Sequence, residues 1–472
     1  MAIRPRRYAG TTVTDFAALL LPDAGGPAQL LRTVNTGGLA AWLATQGEAV
    51  RSVVAANGFT AQPGEVVILP DGANWSALVG VGGNGDELWD LAAAATRLPA
   101  GRFRLADRPA GAAMHGWLMA QHFFDRYRST VPPREPRVLL VADAAAIPAA
   151  VRMADATALV RDLIDTPAND LGPAELAAAV TREAQLWGAE VRVVTGEALL
   201  TEGFPAVHAV GRAAARAPRL IDLRWGDPDA PQLTLVGKGV IFDSGGLNMK
   251  ASTGMALMKK DMGGAAHALA LARLVMQARL PVRLRLIIPA VENAVAGNAF
   301  RPGDVLATRA GLTVEIGNTD AEGRLILADA LTLALEDAPA LLLDFATLTG
   351  AARVALGPDL PALFTHDDAL ANALLTAGTA TGDPIWRLPL WAGYREMLSS
   401  AIADMNNAGE GGFAGAITAA LFLDRFVTPG TAWAHFDLYG WSPSARPGRP
   451  KGGAAGGLQA VWSMLQNRFT AR

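Results

Sequence analysis

Apolar residues fall along this chain in two patterns. Short apolar runs at 66–70, 77–81, 138–142, 233–236, 282–290, 313–316 and 341–345 have the length of strands buried in a core. Segments at 88–95, 149–164, 262–278 and 322–336 carry helical spacing or Ala-rich helical character instead. From Asn169 onward, helices alternate with apolar strands, which implies a mostly parallel sheet covered on both faces. Punctuation divides the chain further. Val131-Pro-Pro-Arg-Glu-Pro136 marks a boundary, and Pro167 in Asp165-Thr-Pro-Ala-Asn169 stops the helix that precedes it. The expectation is an α/β protein with a smaller N-terminal α/β domain over 1–135 and a connecting strand and helix over 136–168. A larger domain, its sheet sandwiched between helices, then fills 169–472.

Composition narrows the classes. Of 472 residues, 51% are hydrophobic and 18% charged, enough for large cores in two domains. The formal net charge of −3 gives no reason to expect nucleic acid as a partner. The absence of cysteine removes disulfides, thiolate metal sites and cysteine nucleophiles, and fits a reducing compartment. Arg4, Arg6 and Arg7 resemble the charged start of a secretory leader, but the apolar run after them is only Phe16 to Leu21 and ends at Pro22. With no run of about 18 apolar residues to span a membrane, the expectation is a soluble cytoplasmic protein.

Three loops concentrate groups able to do chemistry. They are Val236-Gly-Lys-Gly-Val-Ile-Phe-Asp-Ser-Gly-Gly-Leu-Asn-Met-Lys250, Met258-Lys-Lys-Asp-Met-Gly-Gly264 and Asn318-Thr-Asp-Ala-Glu-Gly-Arg-Leu325. Each is placed near a strand end, and open parallel sheets bind ligands beyond the carboxyl ends of their strands. The loops would then gather Asp243, Asp261, Asp320 and Glu322 in one crevice. Four adjacent carboxylates stay ionised only if cations neutralise them, and two divalent ions supply the matching charge. None of the six histidines lies in these loops, which argues against a histidine-rich zinc site. Lys238 and Lys250 flank the first loop, as metal ligand or as electrophile toward an oxyanion. Arg324 in the first turn of a helix makes an anion site.

Each piece also has a reading without chemistry. Thr319 and Glu322 form a capping-box pattern, Asp261 could cap the helix from Met262, and Lys238 could sit in a solvated turn. Gly237-Lys-Gly239 lacks the spacing of a Walker phosphate loop. His267 and His435 read as satisfied core histidines.

Taken together, the loops resemble the leucyl aminopeptidase family of metallopeptidases. Asn318-Thr-Asp-Ala-Glu-Gly-Arg-Leu325 is identical to the family's signature octapeptide. The likeness extends through Gly237-Lys-Gly239 to Lys250 and the Lys260 to Ala265 run, and through Arg161 to Asn169 and Arg301 to Asp304. It continues in Ala346 to Gly350, Gly415 to Thr418 and Trp433 to His435, covering about Asp155 to the C-terminus.

The resemblance implies a tightly held divalent metal on Lys238, Asp243, Asp261 and Glu322. A more exchangeable one would sit on Asp243, Asp320 and Glu322, with zinc or manganese expected at both. It implies that the substrate's free amine binds the exchangeable metal and that a bridging hydroxide attacks the first peptide bond. Lys250 would stabilise the tetrahedral intermediate, and Arg324 would hold a bicarbonate with backbone contacts near Gly323 and Leu348. Met258, Thr347 and Gly350 would line a pocket for leucine-like first residues. A homohexamer acting on peptides is the implied assembly. The chain departs from the family after His435: Lys451-Gly-Gly-Ala-Ala-Gly456 lacks the usual threonine, so first-residue preference stays open. The alternatives are a non-catalytic hexameric scaffold or DNA-binding regulator on the same fold, and another two-metal hydrolase such as a phosphoesterase.

Overall fold

The computed structural model describes residues 14–470 apart from 73, 84–86, 107 and 132. Arg4, Arg6 and Arg7 lie outside the described residues. The chain forms two compact units, one running to Ala158 and taking up Ser444–Lys451, the other comprising Leu159–Pro443 and the chain from Gly452. The division falls within the helix Ile147–Asp165.

The first unit is built on a six-stranded sheet in the order Leu20–Pro22, Arg137–Val141, Gly101–Leu105, Gln29–Val34, Asn74–Gly80, Val66–Asp71. All neighbours are parallel except the last two, which pair as an antiparallel hairpin. Its core gathers Phe16, Leu20, Leu31, Phe103, Trp117 and Leu139. The Phe16 to Leu21 run is therefore part of a packed sheet edge. The helical pattern at 88–95 resolves into a turn followed by the helix Ala92–Arg97.

The second unit carries a nine-stranded sheet. Its centre is four parallel strands in the order Trp433–Asp437, Leu341–Ala346, Gln232–Gly237, Arg283–Asn293. Antiparallel strands flank this centre: Arg219–Trp225 and Glu190–Thr195 on one side, Ala362–Phe364 on the other. The short strand Gly239–Asp243 pairs in parallel with the far end of Arg283–Asn293. Central strands read as unbroken apolar runs because both their faces are covered. Val236, Ile287, Leu342 and Ala346 join a core with Leu325, Ile326, Leu327 and Leu331 of the helix Glu322–Leu335. The alternate residues Leu235, Leu286, Leu343 and Phe345 are buried as well, and so face the other way.

Two glycines let the helix Gly263–Ala278 come close to that sheet. A Cβ on Gly237 would fall 2.6 Å from Ala265 Cα, and one on Gly264 would collide with the Phe345 carbonyl oxygen. The first and second loops are thus packed backbone against backbone, which only glycine permits.

Candidate metal centre

Five strands deliver the site at their carboxyl ends. Lys238 follows Gln232–Gly237, Asp243 ends Gly239–Asp243, and Asn293 ends Arg283–Asn293. Thr347 and Leu348 follow Leu341–Ala346, and Asp437 ends Trp433–Asp437. Asp261 lies in the 3-10 turn Met258–Met262, and Glu322 is the first residue of the helix Glu322–Leu335.

The readings without chemistry do not describe what these residues do. Asp261 caps nothing: the helix after it begins without a side-chain cap. Its Oδ1 accepts from Thr347 Oγ1 at 2.8 Å, and its Oδ2 lies 2.7 Å from Lys238 Nζ. Thr319 and Glu322 form no capping box either. The Thr319 hydroxyl donates to Gly245 O at 2.6 Å and accepts from Asn248 N at 2.8 Å, tying the third loop to the first. Glu322 turns inward, with Oε1 2.9 Å from Lys238 Nζ. Lys238 is buried, not solvated.

Lys250 closes the other side, with Nζ 2.7 Å from Asp243 Oδ2 and paired with Asp320. Asp243 Oδ1 also accepts from Gly245 N and Asn293 Nδ2, each at 2.9 Å. Gly323 packs directly on the first loop's lysine, since a Cβ there would fall 2.6 Å from Lys238 Nζ. Met258 is half-buried three residues before Asp261, whereas Gly350 is exposed and opens the short helix Gly350–Leu356. Asp437 holds the loop between them in shape: its Oδ1 accepts from Leu348 N at 2.9 Å and Thr349 N at 3.1 Å.

The cluster carries more negative charge than its lysines balance. Burial, with Asp243 and Asp261 nearby, pushes Glu322 up to about 8, and burial with Asp243 pushes Asp320 up to about 6. Burial opposes charge on Lys238, but Asp261, Glu322 and Asp243 outweigh it and raise its pKa. A divalent cation among these oxygens would relieve both strains, favouring carboxylates and removing the field that keeps a proton on Lys238. The donor set fits one. Single carboxylate oxygens of Asp243, Asp320 and Glu322 lie within 4.8 Å of one another, and the buried Glu322 Oε2 has no hydrogen-bond partner. Hard oxygen donors with one amine suit zinc, manganese or magnesium.

Among the described residues, Arg324 forms no ion pair with the cluster. Its Nη1 donates to Asn407 O at 2.7 Å, its Nε is buried without a partner, and burial lowers its pKa to about 10. His435 is buried in the core, its Nδ1 2.6 Å from Asp344 Oδ1 and its Nε2 without a hydrogen-bond partner, and His267 Nδ1 lies 2.7 Å from Gly263 O.

Sequence reasoning missed Asn293, Asn407 and Asp437. Asn293 and Asp437 are single polar residues at the ends of apolar strands, a signal common without function, and Asn407, after Met405–Asn406, carried none. Asn293 shows what that signal can mean, because its Nδ2 also donates to Thr319 O at 3.1 Å and so ties the third loop to Asp243.

Known proteins resemble this chain in sequence and fold. The sequence profile of the cytosol aminopeptidase family's catalytic domain matches residues 158–461, and that of the M17 aminopeptidase N-terminal domain matches 27–140. A probable cytosol aminopeptidase of Syntrophotalea carbinolica is 43% identical over 386 residues, 77% of each chain. One of Stenotrophomonas maltophilia is 40% identical over 414 residues, 85% of this chain and 84% of its own. The crystal structure of cytosol aminopeptidase from Coxiella burnetii superposes with a TM-score of 0.90 at 46% identity, covering 96% of this chain and 99% of that one. The bottromycin maturation enzyme BotP, solved in complex with Mn, does so with a TM-score of 0.84 at 34% identity, covering 96% and 99%. These matches define a class: the chain is a metal-dependent aminopeptidase, a hydrolase acting on peptides. Within that class it belongs to the cytosol aminopeptidase family, M17.

Proposed function

We propose that this aminopeptidase holds two divalent cations, zinc or manganese, on Lys238, Asp243, Asp261, Asp320 and Glu322, and removes leucine-like residues from peptide N-termini. The observation that carries the proposal is the buried, unpartnered Glu322 Oε2 beside Asp243 and Asp320 oxygens. Glu322 and Asp243 would each contribute carboxylate oxygens to holding the ions. When bound, the pair supplies an activated water and polarises the scissile carbonyl.

The chain's own residues do the rest. Asp320 has 32% of its side chain exposed, the most open of the four clustered carboxylates, so the free α-amine approaches on its side. Lys250 is more open to solvent than Lys238, its side chain 17% exposed against 3%, so it keeps more of its hydration and remains charged. Its ammonium stabilises negative charge developing on the carbonyl oxygen. The water's oxygen bonds to the carbonyl carbon, the C–N bond breaks, and a proton reaches the departing amine. Arg324, near the Gly323 and Leu348 backbone, would hold a bicarbonate, which would supply a proton relay there. Its support is a buried guanidinium with spare donors in the first turn of a 14-residue helix. Met258, Thr347 and Gly350, apolar or small, suit an aliphatic first side chain.

We infer a cytoplasmic homohexamer as well. Its support is exposed apolar surface: Phe413 and Val354 are each 79% exposed, Ile402 65% and Trp391 62%, which association would cover.

The test is hydrolysis of a leucyl peptide beside its N-acetylated twin, with manganese and then with excess chelator. Cleavage of the free-amine peptide alone, lost on chelation, is the expected outcome. Equal cleavage of both would overturn the reading.

A further inference from the structure

Asn407 follows the short strand Met405–Asn406 and is completely buried. That strand runs parallel to Thr313–Glu315, so the two leave the sheet side by side: one into Asn407, the other into the loop carrying Asp320 and Glu322. The Asn407 side chain spans this gap. Its Oδ1 accepts from Gly317 N at 2.8 Å and from Asn318 N at 3.2 Å. Its Nδ2 donates to Asn318 O at 2.7 Å and to Ala321 O at 3.3 Å. All four hydrogen-bonding positions of the carboxamide are filled, by two N–H groups and two carbonyls. That partner set fixes which amide atom is oxygen, and only a primary amide of this length satisfies it. The backbone serves too: Asn407 N donates to Glu315 O at 3.0 Å, and its carbonyl takes Arg324 Nη1 at 2.7 Å.

From this geometry we propose that Asn407 is a positioning residue for the metal-binding loop and for Arg324, although it touches neither carboxylate. The 317–321 segment is irregular, with no cap on the helix it enters. Its backbone groups would otherwise need water, and the loop would sample positions in which Asp320 and Glu322 diverge. Asn407 removes that freedom by clamping both ends of the segment at Gly317 and Ala321. Because its carbonyl anchors Arg324, the same residue sets the guanidinium relative to the carboxylates. An aspartate here would place an oxygen against Asn318 O and Ala321 O. A serine is too short to reach both ends.

The proposal rests on the two-cation reading above, and its test separates the two. Mn2+ is titrated by calorimetry into the metal-stripped full-length chain, as wild type, Asn407→Asp, Asn407→Ser and Glu322→Ala. Circular dichroism checks each fold. The wild type is expected to take up two equivalents. The folded Asn407 variants should bind at least one of them about 10–100-fold more weakly, as for residues that orient metal ligands. At saturating Mn2+ their kcat should remain reduced, because without the side-chain clamp the backbone carbonyl that takes Arg324 is no longer fixed against the 317–321 segment, while KM changes little. Wild-type affinities and kcat in either folded Asn407 variant would overturn the role of Asn407. A wild type that binds no Mn2+, or a Glu322→Ala variant that binds like wild type, would instead overturn the cation reading. Should both Asn407 variants unfold in the absence and presence of Mn2+, the residue is structural and the positioning role is rejected.

Discussion

Glu322 and Arg324 stand two residues apart on one helical turn and face different tasks. Glu322 is drawn onto Lys238, whereas Arg324 is anchored on Asn407 and shares the Glu322 field without pairing with it. Truncating them should therefore separate metal binding from turnover. Glu322→Ala is expected to lower activity by more than about 100-fold and to reduce bound metal, measured by elemental analysis of the dialysed protein. Arg324→Ala should keep its metal and lose about 100-fold in kcat, the scale of a lost proton relay. Retained metal with full activity in the glutamate variant would dissolve the assignment. At this scale the sequence was informative about identity and offered two local roles, a capping box or chemistry. Thr319 and Glu322 have capping-box spacing, yet the threonine hydroxyl is committed to Gly245 and Asn248, more than seventy positions away.

The helix Gly263–Ala278 shows how an element couples packing to the site. It starts directly after Asp261 and docks through Gly264, whose Cα lies against the Phe345 and Ala346 backbone. Gly264→Ala would force the helix off the sheet, and a loss of about 3 kcal/mol or more is expected, read from urea unfolding. The same helix buries His267, whose pKa burial lowers to about 4, against hydrogen bonds from its ring to the Gly263 and Gly456 backbone that favour the charged form. Between pH 6.5 and 4 the unfolded chain binds a proton there that the folded chain refuses. Stability is thus present above pH 6.5 and falls as pH drops, by about 3 kcal/mol in all. His267→Gln should flatten that slope between pH 7 and 4.5 in urea midpoints. An unchanged slope would mean that His267 accepts its proton in the folded state. Element types were legible because strands and helices of the sheet sign themselves by period. The antiparallel margins were not, since an apolar run carries no direction.

Across the whole molecule, the two compact units follow chain order only in part. Ser444–Lys451 returns to the first unit after the second is nearly complete, a path that a pattern of local periodicities cannot reveal. Among the described residues, no helix is long and apolar enough to cross a membrane. If association covers Trp391, Ile402 and Phe413, the protein should sediment near six times its 49.1 kDa chain mass, and Trp391→Glu with Phe413→Glu should lower that mass. A wild-type monomer would remove the hexamer from the reading.

What the sequence alone determined was chemical content and period: four carboxylates and four lysines on three loops, apolar strands long enough to be buried, and glycines where backbones meet. Those are local properties, and local physics preserves them. Which groups pair, which helix ends are capped and which carboxylate oxygen is left without a proton donor were decided only by the tertiary structure. Lys238 meets Glu322 across 84 positions, and Asn407 reaches Ala321 across 86. Such contacts exist because strands from distant parts of the chain end side by side, and no residue's own neighbours in sequence specify that.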